Sequence, residues 1–270
     1  MKKFFTFFFV LALATMLSAN NVTISNLSLT GKNTTDHYTL VQFDISWENS
    51  FRVSIGPANW DAALVFVKYR VPVSNGGDGL WRHSWLNNTG QTVPSGSVIE
   101  IGLLTPGTAF NANTNRGLGA FIYRSADGTG TFSKTGVQLR WNYGANSVAD
   151  DANVEIQMYA IEMVYVPQGA FVLGSGGSET SAFYKYPTAT NTYPVSTEDA
   201  IAVGTTTNNL YYASSTYGGD QAGPIPAAFP KGYNAFYCMK YEISQQGYVD
   251  FLNSLTRTHQ AARVATTISV

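Results

Sequence analysis

Tyr38-Thr-Leu-Val-Gln-Phe-Asp-Ile-Ser-Trp47 alternates apolar and polar residues with a period of two. Val41, Phe43, Ile45 and Trp47 fall on one side, and Gln42, Asp44 and Ser46 on the other. Successive side chains of a strand point to opposite faces, so this run reads as a half-buried strand. The same pattern returns at 61–71. There Ala63, Val65, Val67, Tyr69 and Val71 form one face, and Lys68 and Arg70 lie opposite. Further strands are expected at 22–30, 98–104, 118–124, 137–141 and 154–166. Turn clusters at Asn75-Gly-Gly-Asp-Gly79, Thr105-Pro-Gly107 and Ala126-Asp-Gly-Thr-Gly130 separate them. No helical period of useful length interrupts the series. The chain therefore reads as mainly β, with an antiparallel β-sandwich domain over residues 20–162.

Residues 1–19 read as a cleavable signal peptide. Lys2 and Lys3 give a basic start, 4–17 is almost wholly apolar, and Ala19 supplies a small residue at the cut. The apolar run falls short of the ~20 residues of a spanning helix. No later stretch is long enough either, so no membrane span is expected after cleavage. The Lys-Lys-Phe start looks bacterial, and the expected location is secreted, cell surface or periplasm. The whole chain carries a formal charge of −1 with only 12% charged residues, about half the usual ~25%. No Lys/Arg run exists, which argues against nucleic acid as a partner. Polarity comes instead from amides and hydroxyls.

All five tryptophans lie in the first domain. Trp47 and Trp141 sit on apolar strand faces and read as core. Trp81 and Trp85 flank His83 and Ser84 beside a Gly-rich turn. They are candidate ligand-binding residues that would stack on a sugar ring, with core packing as the competing reading. Asp78, Asp127, Asp150 and Asp151 lie in turn sequences that lack the spacing of a calcium loop, and Asp-Gly is a turn signal by itself. His37, His83 and His259 are far apart in sequence, and no metal site is read. Cys238 is the only cysteine, so no internal disulfide can form. Its apolar neighbours suggest a small buried hydrophobe.

Two blocks carry a family resemblance. Met163-Val-Tyr-Val-Pro-Gln-Gly-Ala-Phe-Val-Leu-Gly174 reads as a strand, a Pro-x-Gly turn and a second short strand. Phe236-Tyr-Cys-Met-Lys-Tyr-Glu-Ile-Ser244 reads as a strand leading into a helix. Ser244 is a suitable N-cap, and Ile243 and Tyr248 are spaced as a hydrophobic staple. Tyr248, Phe251, Leu252 and Leu255 then form one stripe of a helix expected over 245–255. Together the blocks resemble the opening of the formylglycine-generating (sulfatase-modifying factor) family, whose secreted bacterial members the first domain also resembles.

The resemblance implies a mixed α/β, C-type-lectin-like fold for 163–270. This would be an incomplete domain with a long insertion at 175–234, and its deciding portion would lie beyond Val270. The insertion is rich in Tyr, Ser, Gly and Asn, the chemistry of adaptable binding loops. It adds Tyr211, Tyr212 and Tyr217 as candidate ligand-binding residues, with a short hairpin expected around 200–205 and 209–213. Family enzymes use a cysteine pair with copper. Cys238 matches no catalytic position, so no catalytic residue is carried over. Copper or calcium would enter only through the resemblance, in a complete domain, and no cofactor is expected in this chain.

Three functions stay open. One is a non-catalytic surface protein that binds a glycan or protein ligand. Another is a formylglycine-generating oxidoreductase whose cysteines lie beyond residue 270. The third is a structural surface component.

Overall fold

The computed structural model describes residues 21–177, 179, 181–212 and 223–264. The signal-like residues 1–19 lie outside them. The fold is mainly β and antiparallel. Its strands are β1 (Thr23–Asn33), β2 (Tyr38–Arg52), β3 (Trp60–Arg70), β4 (Arg82–His83), β5 (Ser97–Leu103), β6 (Gly117–Arg124), β7 (Gly128–Trp141) and β8 (Glu155–Val166). Then follow β9 (Phe171–Leu173), β10 (Phe183–Lys185), β11 (Tyr193–Val195), β12 (Leu210–Tyr212) and β13 (Phe236–Met239). Helices α1 (Gln245–Asn253) and α2 (Arg257–Ala261) close the series.

One layer runs β1-β2-β7. The other runs β13-β8-β3-β6-β5, with β4 also on β3. The layers join at a corner where Arg52 of β2 pairs with Trp60 of β3. Between them lies the core, built from the alternation of the sequence. Val41, Phe43, Ile45 and Trp47 face Val65, Val67 and Tyr69, with Phe132, Leu139 and Trp141 completing it. Trp47 and Trp141 are each 1% exposed.

Strand β7 is far longer than the expected 137–141. Gly128 and Gly130 read as turn residues, and Gly136 stands outside the expected strand. Here, however, Gly136 takes a positive φ at a bulge, and its amide donates to Asp44 Oδ1 at 2.8 Å. Such bulges keep a ladder going past residues that propensity would exclude.

The second block belongs to the sandwich. Strand β13 pairs with the end of β8, Met239 opposite Met163. On the outer face, Trp60 Nε1 donates to Tyr237 Oη at 3.1 Å, and Tyr237 stacks on Phe121 at 4.1 Å. On the inner face, Lys240 reaches the corner. Its Nζ lies 2.9 Å from Asp61 Oδ2, 3.3 Å from Glu162 Oε2 and 3.0 Å from the Asn49 carbonyl. Asp61, 0% exposed, also accepts from Trp47 Nε1, Ser50 Oγ and the Phe51 amide, each at 2.9 Å.

Two local expectations change. Phe171–Leu173 does not pair with β8 across the Pro-x-Gly turn but with β11, Phe171 opposite Val195. Residues 210–212 pair with β10, and they meet 200–205 only through a parallel bridge of Leu210 to Val203 instead of an antiparallel hairpin. The long insertion thereby gains a small core of Val195, Ile201 and Leu210. Cys238 is exposed, because a four-residue edge strand has no neighbour to cover it. Among the described residues no helix is long and apolar enough to cross a membrane.

Lys240→Met should destabilise the protein by about 3–5 kcal/mol, the usual consequence of leaving buried charges without their partner. Urea unfolding measures this, and Asp61→Asn combined with Lys240→Met should cost less than the sum of the single changes. Burial lowers the Lys240 pKa, but the Asp61 hydrogen bond and the two carboxylate charges outweigh it and leave the value raised. A raised folded pKa means that the stabilisation is complete below the ordinary lysine value. It is lost only as pH rises through the folded one, so the deficit of the variant should persist from neutral pH until strong alkali.

Candidate functional site

At one end of the sandwich two loops face each other across a cleft of about 640 Å³. One wall is the β3–β4 connection. After Pro72 the chain makes a single 3₁₀ turn, Val73–Asn75, and Gly76 follows at a φ of +79°. At Gly77 an added Cβ would stand 2.0 Å from the Val71 carbonyl oxygen, so only glycine fits this close return. Asp78 then accepts from the Leu80 amide at 3.1 Å and is clamped by Arg82, with Nη1 at 2.8 Å and Nη2 at 2.5 Å. The Arg82 hydrogen bonds first, and the Leu80 amide second, hold the Asp78 carboxyl far below the usual carboxylate range. Asp78 in turn raises the Arg82 pKa.

The opposite wall is the loop between β7 and β8. Asn146 fixes it. Its Oδ1 accepts from Trp141 Nε1 at 2.8 Å and from the Trp85 amide at 2.9 Å. Its Nδ2 donates to the His83 carbonyl at 3.1 Å. The Tyr69 hydroxyl adds a bond to the Asn146 carbonyl at 3.3 Å. Ser147, Asp151 and Asn153 follow along the same wall, and Asn75 faces them from the first. The cleft therefore offers amides and a carboxylate, and its one arginine is already neutralised.

Across this loop lies a smaller recess of about 240 Å³ with Trp141 and Val154 in its floor. At its rim Asp150 accepts from His37 Nδ1 at 2.9 Å and from Tyr143 Oη at 2.7 Å. Burial, followed by Asp150, pushes the Tyr143 hydroxyl up to about 12. The His37 hydrogen bond, followed by that of Tyr143, lowers the Asp150 pKa.

The sequence-derived candidates fall in two places. Trp81 is half-buried beside the cleft wall, with the Arg70 guanidinium 4.7 Å over its ring; Arg70 is itself paired to Glu155 at 2.5 Å. Trp85 is also half-buried, with Arg116 3.5 Å over its ring. Each tryptophan thus has one ring face taken by an arginine. Tyr211 and Tyr212 sit in the separate β10–β12 sheet. There Tyr211 meets Tyr184 at 5.5 Å and Tyr186 at 5.7 Å, and Tyr212 meets Phe183 at 5.1 Å. Tyr217 lies outside the described residues.

Three of the four aspartates weighed for calcium are taken by separate partners, and the fourth, Asp151, lines the cleft. Asp127 accepts from Ser54 Oγ at 2.7 Å, Asp78 is held by Arg82, and Asp150 by His37 and Tyr143. Among the described residues no three His, Cys, Asp or Glu side chains converge as metal ligands. Asn146 and Asn153 escaped the sequence reading, because asparagine abounds in this chain and nothing in its spacing marks the two that line a cleft.

Asn146→Ala leaves the Trp141 indole N–H and the Trp85 amide without their acceptor. Unpaired donors of this kind cost ~1–3 kcal/mol each. A loss of about 2–4 kcal/mol in urea unfolding is expected, together with faster amide exchange across residues 143–153.

No family model, no curated protein and no solved structure matches this chain.

Proposed function

We propose that the protein is a non-catalytic binding protein, exported through residues 1–19, and that the cleft between the two loops takes a neutral, hydroxyl-rich ligand such as a glycan. The observation that carries this reading is the charge balance of the cleft. Arg82 is spent on Asp78, which leaves amides, a serine hydroxyl and Asp151 to meet a ligand. Sugar hydroxyls both donate and accept, and asparagine side chains do the same. A strongly charged ligand finds no free cation here. The volume falls in the ~300–1,000 Å³ range of small-ligand clefts, and Trp81 directly precedes Arg82 of the cleft wall in the chain.

Membership of the sulfatase-modifying-factor family belongs to the same proposal and rests on the two sequence blocks alone. The oxidoreductase alternative needs a cysteine pair. Cys238 is the only cysteine in residues 1–270, so that pair would have to come from elsewhere.

Neutral oligosaccharides should bind on an array and by titration calorimetry, with Asp151→Ala plus Asn153→Ala weakening them at least tenfold while leaving the unfolding midpoint unchanged. Glycan binding that this double variant does not alter would remove the cleft as the site. A blank array with the intact protein would remove the glycan.

A further inference from the structure

Helix α1 stands off the sheet it covers. Ser244 caps it, its Oγ accepting from the Gly247 amide at 3.0 Å, and Tyr248 and Phe251 lie on its apolar stripe. Yet these two side chains remain 41% and 40% exposed, and no residue of the helix is buried. Two recesses lie beside the helix, the smaller against the outer face of the second layer and the larger extending around the edge of β8 to Val22, Ile24, Met158 and Ala160. The larger, about 670 Å³, is lined by Phe66, Ile161, Met239, Ile243 and Tyr248. The smaller, about 360 Å³, has Leu64, Leu103 and Leu118 in its floor. Phe66 and Phe251 line both.

Lys68 stands in the smaller recess. Its neighbours across the sheet are His83 on β4 and Gln157 on β8. The Leu118 carbonyl can only accept, so His83 carries its proton on Nε2 and spends it there. Gln157 Oε1 accepts from Tyr159 Oη at 2.8 Å. Two residues along β3, Arg70 is paired to Glu155. Asp250, at the far recess, accepts from Gln246 at 2.8 Å. Among the described residues Lys68 therefore has neither an ion pair nor a hydrogen bond, and burial lowers its pKa.

We propose that this space binds a singly charged amphiphile, an apolar carboxylate whose head meets Lys68 and whose tail runs beneath α1 past Phe66 and Phe251. One unpaired cation in an apolar recess suits one negative charge, whereas a dianion would bring a second charge with nothing to meet it. The recess walls supply the apolar surface that a hydrocarbon tail needs. The site is separate from the polar cleft, and either can fail without the other.

Sodium dodecanoate below its micelle concentration is the probe, followed by titration calorimetry and by the ¹³C resonance of its labelled carboxyl. Saturable one-to-one binding is expected. Across octanoate, decanoate and dodecanoate each added methylene should tighten it about fourfold, the ~0.8 kcal/mol of a buried CH₂. Lys68→Met keeps the length of the side chain and should weaken dodecanoate at least tenfold without weakening dodecanol.

Gly102→Leu is a second, independent variant. A Cβ at Gly102 meets only ordinary contacts, the nearest 3.7 Å away at Phe121, so a leucine can enter the small recess without backbone strain. It should abolish binding while the unfolding midpoint holds. Equal binding of dodecyltrimethylammonium, dodecanoate binding that neither variant changes, or no saturable binding at all would each overturn the proposal.

Discussion

Asp61 is the constraint around which the rest of the chain is arranged. It sits with no exposed surface where the two layers meet, and a carboxylate in that position must have every lone pair engaged. Trp47, Ser50 and the Phe51 amide come from β2, the strand that turns the corner, so satisfying Asp61 also fixes that corner. Ser50 in turn accepts from Arg124 Nε at 2.9 Å, and Arg124 holds the Gly130 and Thr131 carbonyls at the start of β7. The fourth partner, Lys240, lies 179 residues away in sequence. The corner is complete only when β13 has docked, which makes the C-terminal segment part of the sandwich's own electrostatics.

That dependence explains what could and could not be read from the sequence. The strands of the sandwich were legible because one buried face forces a period of two, and Val41 to Trp47 or Ala63 to Tyr69 show it plainly. The N-cap at Ser244 was legible because capping is local. Pairings with distant partners were not. Nothing near Phe171 says that its partner is Val195 rather than the adjacent β8, and nothing near Lys240 says that it must reach Asp61. The glycines of β7 misled for a physical reason, since the same residue type that ends a strand at a turn also lets one continue through a bulge. The cleft was half legible. Asn75 to Gly79 announced a turn, but its role as a wall depends on Asn146 holding the facing loop to Trp85, Trp141 and His83.

Asn146 also shows how a loop can be both fixed and available. Its side chain is spent on the protein, so the backbone around it is held while Ser147, Asp151 and Asn153 beyond it remain free to face the cleft. Rigid support beneath variable polar groups is the arrangement in which binding loops change specificity without loss of fold. The arginines over Trp81 and Trp85 do related work. They cover one face of each large ring on an outer surface that carries little charge, and they leave a guanidinium edge beside the indole.

The treatment of charge separates the two ends of the molecule. Near the cleft each arginine is committed, Arg82 to Asp78 and Arg70 to Glu155, so discrimination there rests on hydrogen-bond geometry and disfavours no ligand for lack of charge. Under α1 the opposite holds. Lys68 is the one cation lining that recess, and among the described residues neither His83 nor Gln157 on the flanking strands bonds it, so its charge stays unbalanced beside an apolar wall. A free charge selects by sign, and an amide-lined cleft selects by the pattern of donors and acceptors. A chain with so few charged residues gains this difference from placement: carboxylates meet Arg70, Arg82 and Lys240, whereas among the described residues none meets Lys68.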